Sequence, residues 1–164
     1  MTITMGLTVE ERLEHLEKLV AQTGLGYGQF FPGSLLIVPA DADGDKTFEP
    51  YTSTSWDGDA FSTGTGTINW NTVFGVPPQA KMVFLRLLIK DEASTGGIYY
   101  FQLKAKSGGT EYPLTAYAAR GVNDELSSAN GWVPIAQNGT SYYNIVASSA
   151  SAMDIRIWVT AYAR

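Results

Sequence analysis

The chain holds a single histidine, His15, and no cysteine. That sets narrow limits on catalysis. His15 falls at an outward position of a predicted helix, so a Ser-His-Asp or Cys-His arrangement cannot be assembled in the rest of the chain. Zinc sites built from His and Cys are excluded with it, and so are disulfides. Neither a G-x-S-x-G elbow nor a phosphate-binding loop occurs. Gly24, Gly26 and Gly28 are spaced like a dinucleotide fingerprint. They follow a helix instead of a strand, so the turn that would cradle a pyrophosphate is missing.

Carboxylates are what remain. Asp41, Asp43 and Asp45 form a D-x-D-G-D run with Glu49 close behind, and spaced oxygens of this kind can ligate calcium. An EF-hand loop would require Gly at position 46 and Glu at position 52, where this chain has Lys46 and Thr52. The run therefore reads first as a solvated acidic turn and second as a calcium site. Asp57 and Asp59, in Trp56-Asp57-Gly58-Asp59, are of a type that orients sugar hydroxyls or pairs as acid and base. Asp124-Glu125 reads as a surface turn. No cofactor is implied by any of these groups.

Four tryptophans and nine tyrosines form the other reservoir. Aromatic faces stack on sugar rings, and they also dominate core and interface burial. Trp70, Trp132 and Trp158 lie in or beside predicted strands and are expected to pack. Trp56 lies in a polar stretch and is expected to be exposed or to touch a neighbouring subunit, so Trp56, Asp57 and Asp59 form the candidate ligand site. Asn138-Gly139-Thr140 is read as a turn.

Composition narrows the partners. Of 164 residues, 45% are hydrophobic but only 16% charged, against a usual quarter or so. Gly, Ser, Thr and Tyr fill the gap, which suits all-β domains and subunits that cover one another. The net charge of −5, with basic residues scattered, argues against gripping nucleic acid. Neither a signal-peptide pattern nor an apolar run of membrane-spanning length is present, so membrane insertion is not expected.

The elements that must position these groups divide into two expected parts, 1–24 and 25–164. Residues 8–22 are predicted helical: Thr8 and Glu11 make a capping box and Gly24 stands at the C-terminal cap. Val9, Leu13, Leu16 and Val20 recur at four, three and four, the a/d seam of a short coiled coil with Val9 and Leu16 at d. Arg12 and Glu17 then meet across a parallel interface, and Glu14 supports Lys18 along the helix. Two heptads cannot hold chains together alone. A larger contact in the second part is expected to complete the association.

From residue 34 onward the period is two. Strands are predicted near 34–38, 67–70, 81–90, 98–105, 111–118, 132–136, 141–148 and 153–162, with 52–67 as a long ordered loop. Residues 81–90 are apolar on both faces, which predicts a central strand buried between sheets or between subunits. In 153–162, Ile155, Ile157, Val159 and Ala161 are predicted to share one face. The fold class is mainly β, an antiparallel sandwich of jelly-roll type behind a short coiled-coil helix.

The stretch Ser55-Trp56-Asp57-Gly58-Asp59-Ala60-Phe61-Ser62, continuing through Val73-Phe74-Gly75-Val76-Pro77 into 81–90, resembles a pattern in uncharacterised bacteriophage and prophage structural proteins. It covers about the middle third of the chain. The layout is also similar to small head-fibre, spike, decoration and tail receptor-binding proteins. By this resemblance the chain is expected to be a non-enzymatic virion protein and a homotrimer. It would attach to other virion proteins through its N-terminal end and present a β head, in some cases to a host surface glycan. The short chain mildly favours an accessory fibre or decoration role. The alternative is a lectin-like carbohydrate-binding module; a small polysaccharide-degrading enzyme ranks third.

Overall fold

The computed structural model describes residues 36–44, 47–105 and 108–164. The helix predicted over 8–22 and the heptad residues Val9, Leu13, Leu16 and Val20 lie outside these residues, as does Asp45. Nine strands occur among the described residues: β1 Ile37–Pro39, β2 Asp57–Phe61, β3 Gly64–Asn69, β4 Met82–Asp91, β5 Tyr100–Lys104, β6 Leu114–Tyr117, β7 Ser127–Pro134, β8 Thr140–Val146 and β9 Met153–Ala163. A 3-10 turn spans Thr54–Trp56, and a short helix α1 spans Trp70–Phe74.

The strands form two sheets. One has the order β1-β9-β4-β7, with β2 also pairing β9; the other has the order β3-β8-β5-β6. The pairs β2/β9, β4/β9, β4/β7, β3/β8, β5/β8 and β5/β6 are antiparallel. From β3 onward each strand lies in the opposite sheet from its predecessor, except β6, which follows β5 in the same sheet. The inward sides of the sheets make one core, from Val83, Leu85, Leu87 and Ile89 of β4 and Ile155, Ile157 and Val159 of β9 to Phe101, Leu103, Ile68 and Ile145 opposite. The protein is thus mainly β, an antiparallel β-sandwich.

β4 takes the central place that its two apolar faces predicted, with β9 on one side and β7 on the other. Three expectations need correction. The segment 52–67 is not a loop. It supplies the 3-10 turn, β2 and most of β3. Its Ser, Thr and Gly residues carry little hydrophobic signal, but at a sheet margin they need only pair one neighbour. At Gly66 a Cβ would stand 2.6 Å from the Tyr143 hydroxyl, so any larger residue would have to displace that ring.

Trp70 opens a helix instead of ending a strand. The Asn69 side chain accepts from Thr72 N, and Gly75 closes the helix in the left-handed region, its N–H donating to Asn71 O. Five residues are too few for a helical period to register.

The alternation in β9 also breaks. Leu85 lies opposite Val159 but Phe84 opposite Ala161, so Thr160 is an extra, bulged residue whose hydroxyl donates to Phe84 O. Beyond the bulge Tyr162 is buried and Ala161 only half-buried.

Candidate functional site

The strand that runs through the middle of the core also builds the most distinctive outer surface. On β4, Met82, Phe84 and Leu88 point away from the sandwich and stay half-buried, and Arg86 is exposed. Register sets what stands beside them. Phe84 lies opposite Trp132 of β7, and Arg86 lies between Asn130 of β7 and Trp158 of β9. The Phe84 and Trp132 rings meet edge to face at 5.3 Å, and the Arg86 guanidinium lies 5.5 Å from the Trp158 ring centroid. A band Trp132–Phe84–Arg86–Trp158 therefore crosses three strands, with both indoles half-buried.

Such a band combines rigid apolar area with a cation and an amide. Aromatic residues and Arg are the types enriched where proteins bind. The bulge at Thr160 adds local twist two residues beyond Trp158.

The same face becomes charged toward the start of β9. Lys90 Nζ lies 3.1 Å from Asp154, 3.3 Å from Asp124 and 3.3 Å from Glu92. These carboxylates raise its pKa well above the usual lysine value, the Asp154 hydrogen bond contributing most. The next residue, Asp91, is buried. Its Oδ1 accepts from Ala93 N and the Ser148 hydroxyl, and its Oδ2 accepts from Ser148 N at 2.9 Å. Its backbone oxygen also accepts from Asp124 N. Asp91 thus ties the β6–β7 and β8–β9 connections to the end of β4, which holds the sheet face rigid.

The residues singled out in the sequence are placed differently. Trp56 is 7% exposed, so the expectation of exposure is corrected. Its ring stacks on Phe61 at 4.8 Å and meets Tyr143 edge-on at 5.2 Å, because the 3-10 turn rolls it inward under the strand that follows. It offers no open face to a sugar. Asp57 remains exposed and lies 3.6 Å from Arg156 Nε. Asp59 follows in β2, and its side chain lies outside the described structure. Asp41 Oδ1 accepts from Gly44 N, closing a tight acidic turn, and Asp43 is exposed. Among the described residues no three acidic or histidine side chains converge as a metal would require. Trp70 packs as expected, fully buried, with its N–H on the Ser141 hydroxyl at 2.7 Å. Trp132 and Trp158 also pack, against Phe84 and Arg86, but half-buried on the outer face and not in the core. The signal for that face was present in β4, apolar on both sides.

Among the described residues no helix is long and apolar enough to cross a membrane. No protein-family model matches the chain, and no curated protein matches it.

Proposed function

We propose that this chain is a non-enzymatic bacteriophage virion surface protein, a head-fibre or decoration protein or a tail-tip host-attachment component, that works as a homotrimer. The observation that carries this reading is the half-buried aromatic band Trp132–Phe84–Arg86–Trp158, extended by Met82 and Leu88, on the outer face of the five-stranded sheet. Partly exposed aromatic and apolar side chains grouped on one sheet face suit burial against a second copy of the chain. The a/d seam Val9, Leu13, Leu16 and Val20 supports the same association from the sequence.

The strand orders β2-β9-β4-β7 and β3-β8-β5-β6 support naming the sandwich a jelly roll, an architecture used by capsid and lectin domains. The virion assignment rests on the resemblance of the middle third to phage structural proteins and is fold-level analogy. Its test is gradient fractionation of lysate from the cells that produce the protein, probed with an antibody to the β domain. Banding with capsid or tail proteins is the expected result. Recovery only in the soluble fractions, from particles of normal composition, would refute it.

The same face favours one second reading, a carbohydrate-binding module. Trp158 and Trp132 stand half-buried beside the hydrogen-bonding groups of Arg86 and Asn130. That reading requires saturable glycan binding that Trp158→Ala abolishes and Trp56→Phe leaves intact.

A further inference from the structure

At the opposite end of the sandwich from Asp91 lies a buried cation with no counter-charge among the described residues. Lys104, the last residue of β5, is only 6% exposed. Its Nζ donates to Gly109 O at 2.8 Å and to the Tyr112 hydroxyl at 3.2 Å. The rings of Tyr112 and Tyr142 stand 4.6 Å and 5.0 Å from it. Among the described residues, none of the ion pairs includes Lys104. An ammonium carries three donors, and described residues engage two of them. Removing a charge from water is costly unless it is paired, and ring faces and neutral oxygens offset only part of that cost.

Lys104 lines a cavity of about 430 Å³ between the β5–β6 connection and the end of β7, with Thr110, Glu111, Tyr112 and Pro134 among its walls. That volume lies within the range of about 300–1,000 Å³ usual for small-molecule sites. The exposed Glu111 makes the rim unfavourable to a polyanion, and among the described residues Lys104 is the cation that lines the cavity. Hydroxyls of Thr110 and Tyr112 and the flat face of Pro134 complete a lining suited to a polar ring.

We propose that this cavity binds the carboxylate of an acidic sugar residue, with Lys104 supplying the counter-charge. The choice of a sugar rests on the surface-attachment reading above; the charge argument does not. The test is amide chemical-shift titration of the full-length protein with three probes: sodium glucuronate, glucose and a tetraglutamate peptide. Glucuronate is expected to shift Gly109, Thr110 and Tyr112 saturably, with glucose at least tenfold weaker. Lys104→Met, which keeps the side-chain length and removes the charge, is expected to weaken glucuronate at least tenfold without loss of fold. Glu111→Gln is expected to tighten it severalfold.

Equal binding of glucose and glucuronate, no binding of either, or full retention in Lys104→Met would overturn the proposal. Tighter binding of the peptide would overturn it in favour of a protein ligand. If Lys104→Met fails to fold, Glu111→Gln decides, and an unchanged glucuronate affinity there refutes the site. Because the measurement uses the isolated protein, glucuronate binding by a chain absent from particles would defeat the virion assignment and leave this site standing.

Discussion

Phe84 and Trp132 stand directly opposite each other on β4 and β7, and their rings meet edge to face, 5.3 Å apart, on the side of the sheet that faces away from the core. An edge-to-face pair of this kind contributes about 1 kcal/mol beyond burial. On an outer face, its larger consequence is to fix two big apolar side chains in one arrangement before any partner arrives. Little side-chain entropy is then left to lose on association.

Trp56 belongs to the core and not to a ligand site, and the two roles have different signatures. Trp56→Ala should lower unfolding free energy by about 4 kcal/mol, measured by urea denaturation, as expected for removing a large buried aromatic. Trp56→Phe should cost much less, and neither variant should alter any glycan binding beyond what unfolding explains.

Ser141 is fully buried and joins the two sheets through one hydroxyl, which accepts from Trp70 Nε1 and donates to Pro134 O at 2.8 Å. Ser141→Ala orphans both partners and should destabilise by about 2 kcal/mol. In the background of Trp70→Phe, where one partner is already gone, the same substitution should cost less. Additive losses in that double-mutant cycle would mean that the relay contributes nothing as a unit.

The Asp91 carboxylate accepts three hydrogen bonds at the end of β4. Asp91→Ala should lower stability by about 3 kcal/mol, since the Ser148 amide and hydroxyl are left without their acceptor. Amide hydrogen exchange should accelerate first at Ala93 and over 147–152, where the carboxylate accepts its hydrogen bonds. Uniform acceleration over the whole sandwich would contradict that role.

Alkaline pH should loosen the fold through Lys90 and Tyr51. The Lys90 pKa is raised above its ordinary 10.5, by Asp154 first and then Asp124 and Glu92. The Tyr51 pKa is raised above 10.0, by burial first and then by Tyr162. Both groups hold their proton more tightly when folded, so their contribution is complete below pH 10 and is lost as pH climbs through the folded values. Melting temperature should therefore be level from neutral pH to about 10 and fall above it. Tyr51→Phe and Lys90→Met should each make that fall shallower.

The parts of the fold legible in the sequence were those with strong alternation. β4 and β9 stand out because eight or more residues keep one face apolar, and Gly96 and Gly139 mark turns that need the left-handed backbone. β2 and β3 were not legible. Asp57-Gly58-Asp59 and Gly64-Thr65-Gly66 gain their strand conformation from β9 and β8, and nothing local encodes it. The candidate surface was half legible. Apolar residues on both faces of β4 signalled a covered outer side, but only the register with β7 and β9 brings Trp132 and Trp158 to it. The Lys104 site left no trace, because a lone lysine in a strand looks like any solvated one until Tyr112 and Tyr142 close over it.

Self-association through the aromatic face is the claim on which most depends, and native mass by light scattering on a size-exclusion column tests it most directly. The intact protein is expected at three times its 17.8 kDa chain mass. Trp158→Lys with Phe84→Lys, and separately removal of residues 1–24, should each shift it toward the single-chain mass while the β-sheet circular dichroism is kept. An intact protein that runs as a stable 17.8 kDa monomer at all concentrations would contradict the account.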